Sequence, residues 1–389
     1  MDVIVFILFV VSGIGFINLF ARQLPVAQIN NLRKLWFFHL LMGTVYYFFS
    51  KDGGGDAWGY WRRTKLMDIE DFWYGLLEEK GTRFIEAFNY FPAKVLDLGF
   101  FTNTILYTLL GFFGLVFFYI VAYQLVPFNS KFKGYLMFPL VFYLPNLHFW
   151  SSGLGKDALL FFCIGMFCYG LLDTLKRLPL IILALLLSYM IRPHITLFLV
   201  VSFGLAYLLG GKVSKGKRVF FSAILIGVGI LILPTVMEYS KIEEVSVTSF
   251  GKFSEKGVGK LSGSTIGSSV DITSYPYPLK VFTFLFRPLF FDINGFLALL
   301  TSFENLILVI LTFMVLVKNK FRATFKNAPF VVKGLFIFLI IGTLAFSESL
   351  GNLGIMIRMR NMFLPGLLIF ILWSFSYKQQ LAKEKGAAK

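Results

Sequence analysis

The sequence predicts an all-α protein, a polytopic integral membrane helix bundle of about 11 transmembrane helices. Three observations lead there. Of 389 residues, 57% are apolar, 19% aromatic and only 15% charged, against roughly 45–50% apolar and about 25% charged in soluble domains. Apolar runs long enough for a helix to cross a bilayer recur along the whole length, and mean hydropathy is +0.75. The basic residues between those runs fall on alternate connections. A cytosolic enzyme and a free nucleic-acid-binding protein are excluded, and so is a secreted disulfide scaffold, because the chain has 2 cysteines. The formal charge of +16 therefore speaks to membrane lipids and orientation, with no nucleic acid among the expected partners.

In order, the runs lie near 3–20, 35–50, 104–126, 135–150, 157–174, 178–192, 195–210, 219–238, 294–317, 333–347 and 362–377. The first follows acidic Asp2, lacks a basic leader and shows no small-residue cleavage pattern, so it reads as a retained span. Pro139 and Pro145 interrupt the fourth. Cys163 and Cys168 lie about 140° apart around a helix and read as packing residues. If the tail carrying Lys378, Lys383, Lys385 and Lys389 is cytoplasmic, alternation also puts 21–34, 127–134, 173–178, 211–218 and 318–333 inside. Those segments hold 20 of the 37 basic residues against Asp173 and Glu384, leaving a net −2 for the remainder. This is the positive-inside pattern, with the N-terminus outside and the C-terminus cytoplasmic.

Residues 1–389 then form a single transmembrane domain with two long outer connections, 51–103 and 239–292. In the first, Leu66, Ile69, Trp73, Leu76 and Leu77, then Phe84, Phe88, Phe91 and Val95, recur at helical spacing among Asp68, Glu70, Asp71, Glu78, Glu79 and Glu86. The expectation is two amphipathic helices on the membrane surface; a small soluble subdomain is the alternative. In the second, 245–274 is rich in Ser, Gly and Thr with Lys252, Lys256 and Lys260, too polar to fold alone, and is expected to be a flexible lid. No internal repeat supports a duplicated transporter architecture.

Ionisable groups at membrane depth need a partner or a function, and here they crowd at the outer ends of spans. Asp56 follows the second span in Lys51-Asp-Gly-Gly-Gly-Asp-Ala-Trp-Gly-Tyr60. The glycines permit close approach of backbone and ligand, and the carboxylate suits a general base or a metal ligand; a solvated aspartate in a glycine-rich turn is the plain alternative. Trp58, Tyr60, Arg62 and Arg63 cluster with it. The turn Pro145-Asn-Leu-His-Phe-Trp-Ser-Ser-Gly-Leu-Gly-Lys-Asp157 places Lys156 and Asp157 at the mouth of the fifth span. Asp157 there is either functional or a helix N-terminal charge opposing the dipole. Ser151, Ser152, Gly153 and Gly155 offer backbone for an anion nest.

Arginines complete the set: Arg192 before Pro193 and His194, Arg287 before Pro288, and Arg358 with Arg360. Four guanidinium groups among apolar residues on the outer side point to a resident anion, with phosphate the natural match for their planar donors. Snorkelling, or pairing with Asp292, Glu304 or Glu348, is the alternative for each taken singly. Glu304 sits about 8 to 10 residues into the ninth run, roughly 12–15 Å of rise. His148 and His194 lie at outer span ends. Metalloenzyme His spacing, a P-loop and a nucleophile elbow are all absent from the sequence. Asp56 and Asp157 would be the oxygen ligands of a divalent ion, Mg2+ or Mn2+, were one used.

This layout resembles the GT-C superfamily of membrane glycosyltransferases in three places: Asp56 opening a long outer loop, the acidic start of a later span in Gly155-Lys-Asp-Ala-Leu-Leu-Phe-Phe162, and Arg358 with Arg360 near the last spans. It is also similar to the EpsG or Wzy type of polysaccharide polymerase, in length, in Asp56-Ala-Trp-Gly-Tyr60 and in the Arg-Pro and Arg-x-Arg elements. Two departures stand out: the aspartate follows the second span rather than the first, and no large soluble domain follows the bundle. The resemblance implies a bacterial plasma (inner) membrane enzyme that transfers sugar at the non-cytoplasmic face from a polyprenyl-(di)phosphate donor to a glycan or lipid-linked acceptor in cell-envelope polysaccharide assembly, within an envelope biosynthesis complex. Asp56 would be the catalytic base and Asp157 a supporting or metal-associated carboxylate. Lys156, Arg192, His194, Arg287, Arg358, Arg360, Tyr60, Arg62 and Arg63 would bind substrate and phosphate. A polymerase moving whole repeat units, a transporter or flippase for an anionic lipid-linked glycan, and a structural subunit are the competing expectations.

Overall fold

The computed structural model describes residues 2–210, 215–240, 268–319 and 321–387. Among them the secondary structure is helical apart from one two-stranded hairpin and an isolated bridge. Three helices among the described residues, Phe100–Leu125, Phe296–Val317 and Phe330–Ser347, are long and apolar enough to cross a membrane. Leu353–Arg360 and Leu364–Glu384, bent by 60° at their junction, make a fourth if taken as one broken span. The chain divides into two compact units, 1–121 with 139–196, and 122–138 with 197–389.

In the first unit glycines set how closely helices approach. A Cβ on Gly165 of helix Lys156–Gly170 would lie 2.5 Å from the Gly114 carbonyl oxygen of helix Phe100–Leu125. Backbones therefore touch at that crossing, the arrangement small residues permit between apolar helices. One turn earlier, Gly111 admits the Ser151 carbonyl. Helix Asp2–Asn18 crosses helix Val26–Lys51 where Gly13 receives the Trp36 ring, and the indole donates to the Val10 carbonyl at 3.0 Å. Helix Val26–Lys51 also carries His39, fully buried and 2.9 Å from His148, Nδ1 to Nδ1.

Residues 51–103 form three short α-helices, Ala57–Leu66, Ile69–Leu77 and Thr82–Phe88, followed by a π-helical turn, Phe91–Val95. Asp68 caps the second by accepting from the Asp71 amide. That helix turns Ile69, Trp73, Tyr74 and Leu77 outward. Glu86, grouped by sequence with the polar surface residues, is instead buried.

The run 135–150 is not one helix. It comprises the strand Tyr135–Leu136, a kinked turn at Met137–Leu140 with Phe138 extended, a 3-10 turn Val141–Tyr143 and the short helix Pro145–Phe149. Each proline lacks an amide hydrogen, and the residue before it is pushed from the α region, which is why apolar composition here does not yield a crossing helix.

In the second unit, strands Lys131–Phe132 and Tyr135–Leu136 pair antiparallel through a two-residue turn, Lys133 and Gly134, both at positive φ, as the twist of a tight hairpin demands. The segment docks on helix Leu364–Ala387 through Phe128 N–H to Ser376 Oγ at 3.0 Å and Ser130 Oγ to Gln379 at 3.1 Å. Gly366 brings that helix against the Leu335 carbonyl of helix Phe330–Ser347. A short apolar helix, Tyr277–Phe286, lies inside the second outer connection, 239–292, after its polar stretch. Residues 245–267 of the expected lid, 245–274, lie outside the described residues.

Candidate functional site

The first unit brings the Asp56 loop and the Lys156–Asp157 turn together, and two tyrosines hold them. Gly53 and Gly55 sit at φ 92° and 74°, conformations that admit glycine with little strain, so the chain reverses sharply after helix Val26–Lys51. Asp56 then occupies the cap position of helix Ala57–Leu66, exposed, with no side-chain cap bond. Tyr46 covers Gly153, and a Cβ on Gly55 would lie 3.7 Å from its hydroxyl. Tyr60, one turn after Asp56, is buried against Gly155, where an added Cβ would come 3.3 Å from the ring. Gly155 is at φ 148°, which turns the chain from 151–155 into helix Lys156–Gly170. Thr108 Oγ1 donates to the Ser152 carbonyl at 2.8 Å and fixes that turn to helix Phe100–Leu125.

Arg192 enters from a helix break. Pro193 disfavours the α conformation at the preceding residue, and Arg192 is extended at φ −151°, ψ 94°, ending helix Leu178–Ile191. Its guanidinium lies 3.2 Å from Asp157 Oδ1, the two side chains 7% and 11% exposed. Asp157 also sits in the first turn of its helix, where the dipole favours a negative charge. His194, half-buried, is within electrostatic reach of Arg192 and Lys156.

Arg63 and Arg62, on helix Ala57–Leu66, are exposed. Arg63 lies over the Tyr60 ring at 5.5 Å and donates from Nε to Glu86 at 2.5 Å. Sequence reasoning passed over Tyr46 and Arg83, and placed Glu86 on a polar surface. The i, i+3 spacing of Arg83 and Glu86 signalled a pair, but which face was buried was not readable; Tyr46 is one aromatic among many in an apolar run.

The remaining arginines belong to the second unit. Arg287 donates from Nε and Nη2 to Asp292 at 3.0 and 2.5 Å and from Nη1 to the Tyr275 hydroxyl at 3.3 Å. These Asp292 bonds, helped by Tyr275 and opposed by desolvation, hold its pKa above the ordinary arginine value. A phosphate would have to displace that carboxylate. Arg360 is buried on helix Leu353–Arg360; it donates to the Leu285 carbonyl and, at 2.8 Å, to Asn305 Oδ1. Asn305 in turn donates to the Pro288 carbonyl at 2.8 Å. Arg360 thus braces the backbone around Arg287, and Glu304 supplies a nearby negative charge. Arg358, half-buried, is two residues away and so points elsewhere around the helix.

A divalent ion at Asp157 would share its carboxylate with the Arg192 guanidinium, 3.2 Å from Oδ1, and Asp56 would bring a single carboxylate of its own. Among the described residues no three His, Cys, Asp or Glu side chains gather into a metal-binding set. No family model matches the chain, and neither curated proteins nor solved structures give a match.

Proposed function

We propose that this chain is a multi-pass membrane glycosyltransferase with about eleven crossings, seated in the bacterial plasma membrane with its N-terminus outside and C-terminus in the cytoplasm. It transfers sugar at the outer face from a polyprenyl-(di)phosphate donor to a glycan or lipid-linked acceptor in cell-envelope polysaccharide assembly. The observation that carries the reading is the latching of the exposed Asp56 to the Lys156–Asp157 turn through Tyr46 and Tyr60. The candidate base is thereby held beside the turn that carries Lys156.

In this reading Asp56 takes the acceptor hydroxyl proton as that oxygen attacks the anomeric carbon. The bond from the anomeric carbon to the phosphate oxygen breaks, and its electron pair leaves with the phosphate. Lys156 and Arg63 stabilise the charge growing there. Arg192 positions Asp157, and with it the turn that carries Lys156. Arg287 and Arg360, committed to protein partners, are assigned to the scaffold. A polymerase of the EpsG or Wzy type would use the same parts on whole repeat units. A transporter of an anionic lipid-linked glycan is the second reading, favoured by the burial of Glu304 with Arg360.

Purified protein with a polyprenyl-linked sugar donor tests the proposal through glycan product. Asp56→Asn should lower turnover by about 10²–10⁴-fold and Lys156→Gln by about tenfold. Wild-type product from Asp56→Asn would sink it.

A further inference from the structure

Glu86 has an environment that the proposed transfer chemistry does not by itself explain. Its carboxylate is 1% exposed, yet both its cationic partners are surface residues: Arg63 at 51% and Arg83 at 58% side-chain exposure. Oε1 accepts from Arg63 Nε at 2.5 Å, and Oε2 faces Arg83 Nη1 at 3.6 Å, an ion pair without a hydrogen bond. Glu86 is anchored through its own backbone, whose carbonyl accepts from Thr64 Oγ1 at 3.1 Å. Helices Ala57–Leu66 and Thr82–Phe88 are thereby fixed with one carboxylate between two guanidinium groups, a cluster of net charge +1. The anchoring contact uses Nε of Arg63, which leaves its terminal nitrogens outside that bond, and Tyr60 beneath the plane restricts its tilt. Arg62 adds a further exposed cation on the same helix.

We propose that Arg63 and Arg83 together bind a phosphoryl or pyrophosphoryl anion, with Glu86 as the positioning residue that orients both forks. Guanidinium pairs suit this anion because each presents coplanar donors to two oxygens, and orientation by a buried carboxylate reduces the ordering cost of binding. The inference rests on the transferase reading for its physiological ligand, the phosphate of a lipid-linked sugar, and adds Arg83 and Glu86 to it. The same chemistry would also take the headgroup phosphate of an ordinary anionic lipid.

The test is inorganic pyrophosphate binding to the full-length protein by calorimetry, in detergent and in nanodiscs of phosphatidylcholine with or without phosphatidylglycerol. Arg83 is exposed, so Arg83→Gln should fold and should weaken binding about tenfold; Arg83→Lys, keeping charge but losing the fork, should weaken it about threefold. Glu86→Gln keeps an acceptor for Arg63 but gives up the ion pair that orients Arg83, so affinity should fall about threefold despite the loss of one negative charge, whether or not the melting temperature also falls; a rise in affinity would show that Glu86 does not position the forks. A purely structural carboxylate would move the melting temperature alone. Competition by phosphatidylglycerol identifies the bulk headgroup as a ligand; indifference to it identifies the substrate phosphate or free pyrophosphate. Unchanged affinity in Arg83→Gln overturns the site. Because binding is read without turnover, loss of this result leaves the Asp56→Asn assay standing, and inactivity of the transferase proposal leaves this one standing.

Discussion

Arg192 lies 3.2 Å from Asp157 with both side chains almost withdrawn from solvent. One member comes from a proline-enforced helix break and the other from the first turn of helix Lys156–Gly170. Neither could be buried alone: a lone charge removed from water carries a desolvation cost of several kcal/mol, which the pair offsets by mutual attraction. The prediction is an asymmetry. Asp157→Leu or Arg192→Leu alone should destabilise the protein by about 3–5 kcal/mol, whereas the double replacement should cost markedly less. Thermal denaturation in detergent reads this directly, and additive losses would mean the two do not act as a pair.

The same Arg-Pro pattern governs Arg287. Its donors face Asp292 and Tyr275, so its removal should be a stability change rather than a substrate one. Arg287→Ala should lower the melting temperature while leaving the donor KM within about twofold in whatever fraction stays folded, whereas Arg83→Gln, at an exposed residue 3.6 Å from Glu86, should raise KM about tenfold with little change in melting. Steady-state kinetics with melting curves on both variants separates the two roles, and the reverse assignment would return Arg287 to the phosphate side.

These two pairs also mark what could be read from the chain alone. Apolar run length sufficed for helices Phe100–Leu125, Phe296–Lys318 and Phe330–Ser347, because in each the composition is uniform and no proline intervenes. It failed at 135–150, where Pro139 and Pro145 outweigh hydropathy. The grouping of Asp56 with Tyr60 was local and therefore legible, but the tie to Gly155 depends on a tyrosine far away in sequence. Arginines before prolines advertised unusual positions. Their actual partners are set by tertiary packing: Asp157 is remote in the chain, while Asp292, close by, was one of the alternatives open from the start. Glu86 was misplaced because a short helix with charge on several faces gives no unambiguous inward side.

Close backbone approach predicts a steep response at Gly165. A Cβ there meets the Gly114 carbonyl oxygen at 2.5 Å, and backbone cannot rotate away as a side chain can. Gly165→Ala should therefore cost about 1–3 kcal/mol, and Gly165→Leu should prevent recovery of folded protein. Gly15, with nothing within 4 Å of its virtual Cβ, provides the control: Gly15→Ala should be neutral or slightly stabilising, since alanine favours helix. Equal melting temperatures for Gly165→Ala and Gly15→Ala would contradict the packing described.

The buried imidazole pair gives the last prediction, and its sign follows from hydrogen-bond polarity. His148 Nε2 donates to the Phe142 carbonyl at 2.6 Å, so in a neutral ring its Nδ1 is an acceptor. The facing Nδ1 of His39, 2.9 Å away, must then donate. Selective ¹⁵N labelling should find His148 protonated on Nε2 and His39 on Nδ1, the less common tautomer of a free ring. His148→Leu strips partners from both His39 and Phe142, so it should destabilise by about 2–4 kcal/mol, more than the roughly 1–3 kcal/mol of His39→Leu, which orphans one acceptor. The double variant should recover about 1 kcal/mol relative to the sum, as expected for groups that share a bond. Protonation of His39 on Nε2, or strict additivity, would show that the two rings are neighbours without being partners.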